Sequence, residues 1–554
     1  MDHRNARFVR TRIAASALIT GLLAAALAGC SVPRAEGSGS SSEQPPAAVR
    51  APEDGVLTLD SDDSAELALH ASQALFDHSP VVVLATVDDA ADRMTAGATG
   101  EALAAPVLLG GGVIDDAGLR NELERLRAES LVVVGDEEDV AAAGALAGGL
   151  DVVRFDPDAV SEAAEEAVKS VQSGGKGTSV GSGTTAGAGT VTGAAVRSSS
   201  AGTEVRLPEA GMIDTTQLRT LREQVPEVED PDQLSEVMLL IDPAEGQEAA
   251  IGTARAAGAV PLVVPGGDPG ARKDAISRIT TADPLGVVAI GPGFSDRDRL
   301  AWQVDAARRG VTYPHGTQRL AGETYVATSF TVPPGADPAE TAAAATEARA
   351  IADAYGGVPV VSVAASVKSS SPGEDGDYVA STPVEDLTAV VSALRDAGTL
   401  VLLDVVPGNR PLAEQIGPLE ALLATPGVGL ALHPEFRVAG NGVKFGGHVP
   451  VAELQAAVDR VAGIVSTQGL PQTMVVVHQS RAQSVDDRGA LQARAEVATV
   501  FAAAAASGGG ATATGVWYDV VTDLPDRAAS GWAGPPTGAI PPSDPAPPLL
   551  ITTD

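Results

Sequence analysis

The feature that most constrains this chain is a repeated alternation of short apolar runs with amphipathic stretches. Examples of the apolar runs are PVVVLATV from Pro80, VMLLID from Val237 and LVLLDVV from Leu400. Runs this short, rich in β-branched residues and separated by helix-length segments, are typical of buried parallel strands joined by crossover helices. The alternation therefore predicts an α/β protein. Aromatic residues make up only 3% of the chain, which favours layers packed from small aliphatic side chains.

The alternation falls into three successive units. The first two units repeat one order of strands and helices, so we predict two copies of a Rossmann-like, three-layer α/β design. The third unit has strand candidates that begin at Thr324, Val358, Leu400, Val428, Met474 and Gly515. This unit predicts an incomplete or distorted (β/α) barrel, with a doubly wound sheet as the alternative.

Low-complexity segments separate these units. Residues 173–203 consist mainly of glycine, serine, threonine and alanine and cannot bury enough apolar surface to order themselves, which predicts a disordered linker. The predicted organisation is a signal peptide at 1–29, a tether at 30–56, the first α/β unit at 57–172, the linker at 173–203, the second α/β unit at 204–323, the barrel-like domain at 324–532 and a proline-rich tail at 533–554. Residues 534–548 of this tail are expected to be irregular.

The N-terminal segment has the pattern of an export signal. Several arginines precede the apolar stretch from Ile13 to Leu27, and LAGC closes the segment. This pattern resembles bacterial lipoprotein signal peptides, in which the cysteine receives a diacylglyceryl group. The resemblance implies lipidation of Cys30, with palmitate-type chains, and an extracytoplasmic protein anchored to the cell membrane. Cys30 is the only cysteine, so no disulfide can form within one chain.

The charge of the chain limits its partners. The formal net charge is −35 at pH 7, whereas nucleic acids and anionic lipid surfaces are bound through clustered Lys and Arg. We therefore expect no nucleic-acid partner. No acidic run has calcium-loop spacing, and no glycine-rich turn has the spacing of a nucleotide loop, so neither a metal nor a cofactor is predicted.

The first two units share motifs with a known repeat. APVLLG at Ala105 and LVVVG at Leu131 flank a helix-like segment, and AVPLVVPGG at Ala259 and LGVVAIGPG at Leu285 repeat the spacing. These motifs resemble the bacterial cell-wall-binding repeat of the second type over roughly residues 57–318. The resemblance implies a cell-wall polymer or carbohydrate as partner. That family usually has three tandem copies, whereas this chain has two diverged ones.

Polar residues follow the strand candidates of the third unit where each strand ends. They are Asp377, Asp404, His433, Glu435, His478 and Asp519. Because the carboxyl ends of parallel strands meet at one face, we predict a shared pocket there. We expect Asp404, Glu435 and His478 to point into it, with His433 near its rim or packed behind it.

Motifs of the third unit carry a second resemblance. GEDGDY, LVLLDVVPGNR, PGVGLALHPEFR and LPQTMVVVHQ resemble an uncharacterised actinobacterial family of secreted proteins and lipoproteins with barrel-like domains, over roughly residues 324–523. Glu435 matches an acid of that family. The chain departs from it where Val406 replaces Gln, His433 replaces Asp, Phe436 replaces Trp and Ser480 replaces Phe.

The candidate residues allow three functions. The preferred one is a cell-envelope lipoprotein that binds wall polymer or another extracytoplasmic ligand, with Glu435 as the ligand contact. The alternative is a glycoside-hydrolase-like enzyme, because such enzymes need two carboxyl groups roughly 5 to 9.5 Å apart. Asp404 and Glu435 are the candidate catalytic pair, with Asp377 in reserve, but His433 in place of an acid removes one carboxylate. A solute-binding lipoprotein with two α/β lobes is the third function.

Two other kinds of hydrolase lack their motifs. A metal hydrolase would use His433, His478 and a carboxylate, but the chain has no H-x-H or H-E-x-x-H run. No G-x-S-x-G occurs at a strand-to-helix turn, so a serine nucleophile has no support.

Overall fold

The described part of the chain is divided by several gaps. The computed structural model describes residues 47–52, 55–155, 207–226, 234–335, 337–374, 376–438, 447–504, 513–534 and 546–553. The predicted signal peptide with Cys30, most of the predicted tether and the predicted linker at 173–203 lie outside these ranges. None of the helices in the described ranges is both long enough and apolar enough to cross a membrane.

The first sheet contains four parallel strands in the order β5-β4-β6-β7. Its strands are nearly continuous apolar runs because helices cover both faces. Each of the first four helices begins at an aspartate whose carboxylate accepts hydrogen bonds from backbone N–H groups of the first turn. The strands are β1 (Ala48–Val49), β2 (Val56–Leu59), β3 (Phe76–His78), β4 (Val81–Thr86), β5 (Val107–Gly110), β6 (Ser130–Val134) and β7 (Asp151–Phe155), and the helices are α1 (Ser64–Leu75), α2 (Ala90–Leu103), α3 (Asp116–Leu126) and α4 (Glu137–Leu146).

The second sheet repeats this design, and its edge strand β2 comes from the part of the chain that precedes the first sheet. Its order is β9-β8-β10-β2, again parallel, so β2 takes the position that β7 holds in the first sheet. The predicted unit boundary at residue 57 is therefore wrong, since local apolarity does not say which sheet a strand joins. The new strands are β8 (Val237–Ile241), β9 (Val260–Val263) and β10 (Gly286–Ile290), and the helices are α5 (Thr215–Arg222), α6 (Glu248–Ala256), α7 (Lys273–Ala282) and α8 (Arg297–Arg309).

Helices α2 and α6 join the two repeats with their backbones in contact. A Cβ atom on Gly252 would lie 2.4 Å from the Cα atom of Gly97, so only glycine allows this approach. A buried ion pair joins the same helices, with Arg93 Nε 3.1 Å from Glu248 Oε2. One apolar core runs through both repeats, so the two repeats form a single body.

The third unit is a closed barrel of eight parallel strands. Apolar side chains fill its interior, and a larger apolar layer lies between the strands and the outer helices. The barrel strands are β11 (Tyr325–Phe330), β12 (Val358–Ala364), β15 (Leu400–Val405), β16 (Val428–Leu432), β18 (Thr473–Gln479), β20 (Val497–Ala504), β21 (Ala529–Gly534) and β22 (Leu550–Thr553). Two short pairs decorate it, namely β13 (Ser366–Lys368) with β14 (Val379–Ser381) and β17 (Val449–Pro450) with β19 (Val485–Asp486). Its helices are α9 (Pro338–Tyr355), α10 (Val384–Asp396), α11 (Leu412–Ile416), α12 (Glu420–Leu423), α13 (Val451–Gln468) and α14 (Ala513–Val521).

The barrel confirms the predicted (β/α) architecture and corrects its details. It is closed, not incomplete, and the alternative of a doubly wound sheet is wrong. GVWYDVV, predicted as a strand, belongs to helix α14, where Val516, Trp517 and Val520 form a buried face. The predicted proline-rich tail ends in β22, which follows the stretch 534–548 predicted to be irregular, pairs with β11 and closes the barrel.

Candidate functional site

Polar side chains reach the carboxyl end of the barrel interior because side chains alternate along each strand. Leu402 and Val476 pack inside the barrel. Two residues later on the same strands, Asp404 and His478 lie on the same face. On β12, Ser362 follows the inward-facing Val360 by two residues, and its Oγ donates to Asp404 Oδ2 at 3.3 Å. The layer above the apolar filling is therefore polar.

His433 lies between the two carboxyl groups of this site. Its Nε2 is 2.8 Å from Asp404 Oδ1, and its Nδ1 is 2.9 Å from Glu435 Oε1. Its ring stacks on His478 with centroids 4.3 Å apart and planes 4° apart. We call Asp404, His433, Glu435 and His478 the histidine cluster. The predicted trio does come together, but His433 links its members and does not lie at a rim or behind them.

A short turn after β16 explains why HPEF follows the strand. Residues Pro434–Phe436 form one 3₁₀ turn, in which proline suits the first position because its missing N–H needs no partner. The turn brings Glu435 back to His433, two residues earlier. It also stacks Phe436 on His433, with centroids 5.0 Å apart, and Lys368 Nζ lies 3.7 Å from the Phe436 ring centroid.

The two histidines hold different charges. Burial disfavours the charge of His433, but Asp404 and Glu435 outweigh it and raise its pKa to about 10. Burial, together with the positive charge of His433, lowers the pKa of His478 to about 3. Burial also opposes ionisation of Asp404, but the charge and hydrogen bond of His433 prevail and hold its pKa below the usual value. At neutral pH an imidazolium therefore sits beside a neutral imidazole.

Because the two pKa shifts are opposite, the contribution of the cluster to the free energy of unfolding should be largest near one pH. Above the unfolded pKa of 6.5, folded His433 keeps a proton that the unfolded chain releases. The free energy of unfolding then falls with rising pH, by up to about 1.4 kcal/mol per pH unit, until the pH passes 10. His478 acts in the opposite direction, since its contribution is complete above pH 6.5 and is lost as the pH falls towards 3.

Urea unfolding from pH 5 to pH 9.5 measures this dependence. The difference in unfolding free energy between the parent and His433→Gln should shrink steadily above pH 6.5, because the variant has no imidazolium to lose. A difference that stays constant across this range would contradict the assigned charge of His433.

Glu435 has an oxygen atom without a hydrogen-bond donor. Its Oε2 is buried and has no partner in the described part of the chain, whereas Oε1 is held by His433. A buried acceptor left unpaired costs roughly 1–3 kcal/mol, so such an atom normally has a water or ligand donor. Glu435 Oε2 is thus an unsatisfied acceptor within the histidine cluster.

The arrangement suits binding better than acid–base catalysis. The imidazole ring of His433 occupies the space that joins Asp404 to Glu435, so a sugar ring would have to displace it. An imidazolium that keeps its proton at neutral pH is a poor general base. Both of its ring nitrogens face carboxylates, and the described residues contain no His, Cys, Asp and Glu group with the arrangement of a metal site.

The other two predicted site residues take part in different contacts. Asp377 is buried, and its Oδ1 accepts from the backbone N–H of Val379 at 2.8 Å, so it shapes the loop between β13 and β14. Asp519 lies on helix α14, not at a strand end, and its carbonyl accepts from Arg488 Nη2 at 3.4 Å. The error for Asp519 follows directly from reading α14 as a strand.

Ser362 was not predicted from the sequence, whereas Gln479 is visible there as the polar end of the run MVVVHQ. Ser362 is part of an apolar-looking strand, and only the alternation that places Val360 inside the barrel identifies it. Gln479, fully buried next to His478, accepts from Arg488 Nη1 at 2.8 Å. That bond holds the end of β18 in place, and a glutamine directly after an apolar run is the signal that indicates it.

Comparisons with known proteins leave the family open. No family model matches this chain, and no curated protein matches it. Among solved structures it is similar to Cwp6 from Clostridium difficile at 14% sequence identity and a TM-score of 0.29, a value too low to establish a shared fold. The match covers 69% of this chain and 63% of the other, so the chain spans less than two thirds of that protein. The family resemblances of the motifs stay predictions.

Proposed function

We propose that this protein is an extracytoplasmic, lipid-anchored binding protein of the cell envelope, and that its barrel binds a hydroxyl-bearing ligand such as a cell-wall carbohydrate. The observation that carries the proposal is the buried, unpartnered Oε2 of Glu435 at the carboxyl end of the barrel. Hydroxyl groups donate to carboxylate oxygens, and hydrogen bonds to charged groups are the stronger ones. The strongly acidic chain disfavours an anionic ligand at this carboxylate site.

The other two functions have less support. A glycoside hydrolase is disfavoured because Asp404 and Glu435 are both engaged by His433. A solute-binding protein with two lobes needs a cleft between them, whereas the repeats meet through the close contact of Gly97 with Gly252. Binding without hydrolysis remains the function that the geometry favours.

Glu435→Gln is expected to weaken binding to isolated cell wall and to soluble wall glycan fragments at least tenfold, while the fold is retained. Glutamine keeps an oxygen that can accept from His433, but the variant loses a charge-assisted hydrogen bond worth roughly 1.5–3 kcal/mol. Cosedimentation with wall and calorimetric titration with fragments measure the effect. Asp486→Asn is the matched control, because it removes an exposed carboxylate, paired with His448, on a strand that follows β18.

Two results would reject this assignment. Equal binding by the parent and Glu435→Gln would show that Glu435 does not contact the ligand. Release of sugar from wall glycan by the parent, abolished in Glu435→Gln, would favour the glycoside hydrolase instead.

The anchor is tested separately from the barrel site. We expect Cys30→Ala to move the protein from the membrane fraction to the soluble fraction or to leave the signal segment uncleaved. The two acyl chains of a diacylglyceryl group give stable anchoring, whereas a single chain gives only marginal binding. Fractionation with detergent extraction measures this, and a variant that is processed and retained like the parent would show that Cys30 is not the anchor.

A further inference from the structure

A cavity at the opposite end of the barrel concentrates positive charge in a chain whose net charge is −35. Its volume is about 280 Å³, and Arg299, Arg319, Arg494 and Arg527 line it. Val497 and Ala529, which also line it, begin strands β20 and β21. The cavity therefore lies at the amino ends of the strands, away from the histidine cluster at their carboxyl ends.

Acidic side chains only partly neutralise these arginines. Arg319 Nε lies 3.2 Å from Asp268 Oδ2, and Arg494 Nε lies 2.8 Å from Asp459 Oδ1. Arg527 approaches its neighbour Asp526 only to 3.8 Å, and both side chains are largely exposed. The remaining arginine and Arg527 therefore have no close ion pair among the described residues, while Asp526 lines the cavity and Glu496 adds a negative charge near Arg319.

Arg299 is that remaining arginine. In the described ranges no ion pair involves it; its Nη2 donates to the carbonyl of Gly293, and its Nε is buried without an acceptor. Burial lowers the pKa of Arg319, and although the negative charges of Asp268 and Glu496 oppose this, the positive charges of Arg299 and Arg527 lower it further. The guanidinium groups thus repel one another across a small cavity, and an anion would remove that repulsion.

We infer that this cavity binds the phosphate group of a small phosphomonoester, no larger than a monosaccharide phosphate. Guanidinium groups bind phosphate and carboxylate oxygens through paired hydrogen bonds. A phosphomonoester brings nearly two negative charges and three acceptor oxygens, which matches several arginines better than one carboxylate does. The volume lies near the lower end of ligand pockets, roughly 300–1,000 Å³, and Pro525 and Leu549 supply an apolar wall.

Calorimetric titration of the purified protein with glucose 1-phosphate, inorganic phosphate and succinate tests the inference. We expect the sugar phosphate to bind most tightly and Arg299→Gln to raise its Kd about tenfold or more, as loss of a charged hydrogen bond does. Arg527→Gln should weaken binding in the same way, and its side chain is 66% exposed, so the fold is not at risk. Arg308→Gln is the control, because Arg308 lies on the same helix α8 outside the cavity and pairs with Asp283.

Three outcomes would overturn the inference. They are no binding of either phosphate compound, tighter binding of succinate than of glucose 1-phosphate, and parental affinity in both Arg299→Gln and Arg527→Gln. Because the histidine cluster is a different site, Glu435→Gln should bind glucose 1-phosphate like the parent, and a loss in that variant would also contradict a separate phosphate site.

Discussion

Replacement of His433 by leucine is expected to lower the free energy of unfolding by about 3–5 kcal/mol, the usual cost of removing one partner from a buried ion pair. The imidazolium separates and neutralises Asp404 and Glu435, each within 2.9 Å of one of its nitrogens. Without it, two largely buried carboxylates face each other, and at least one must take up a proton or draw in water. Urea unfolding at pH 6.5 measures the loss.

Matched variants separate this effect from simple loss of packing. His448→Leu removes the histidine of an exposed pair with Asp486, and exposed pairs contribute less than about 1 kcal/mol. Adding Asp404→Asn and Glu435→Gln to His433→Leu should restore much of the loss, because the uncompensated charges disappear. If the single and triple variants are equally unstable, the cluster acts through shape and not through charge.

A change of Gly252 to alanine is expected to destabilise the paired repeats by about 3 kcal/mol, as overpacking of a tight contact does. The added methyl group would sit 2.4 Å from the backbone of Gly97, so helices α2 and α6 would have to separate. Their buried ion pair, Arg93 with Glu248, would be strained at the same time. Thermal unfolding and hydrogen exchange of α2 report the change.

Gly144→Ala is the matched control for this prediction. Gly144 lies within helix α4, and nothing stands within 4 Å of the Cβ position there. Alanine in an open helical site should stabilise the protein by roughly 0.5–1 kcal/mol. Equal effects of the two changes would show that the contact between α2 and α6 is looser than the structure has it.

Most strands that are continuous apolar runs were predicted, but β20, which reads VATVFAAA, was missed because its alanines favour a helix. The barrel strands up to β18 are such apolar runs, because a closed parallel barrel buries both faces of each strand. By contrast, β21 reads ASGWAG, whose small residues give no strand signal, and β22 follows a proline-rich stretch. Helix α14 was wrongly predicted as a strand, because its valines and aromatic residues favour a strand on propensity alone.

The sequence was sufficient to predict which residues of the site stand at the ends of strands. Asp404, His433, Glu435 and His478 all follow apolar runs, and the rule that parallel strands share a carboxyl face brings them together. The role of His433 was not predictable, because it depends on a turn that returns Glu435 to the ring only two residues away. No sequence motif indicated the arginine cavity, because its lining residues come from distant parts of the chain.

The place of β2 in the second sheet affects how the chain assembles during synthesis. Val56 pairs with Val287, and at roughly 5–20 residues per second a ribosome needs on the order of ten seconds or more to reach that partner. Until then β2 is an apolar segment without its sheet, and the β10 edge it later covers is absent. A nascent chain can therefore complete its first sheet while β2 still waits for β10, and a chaperone that shields β2 during this interval would raise the yield of native protein.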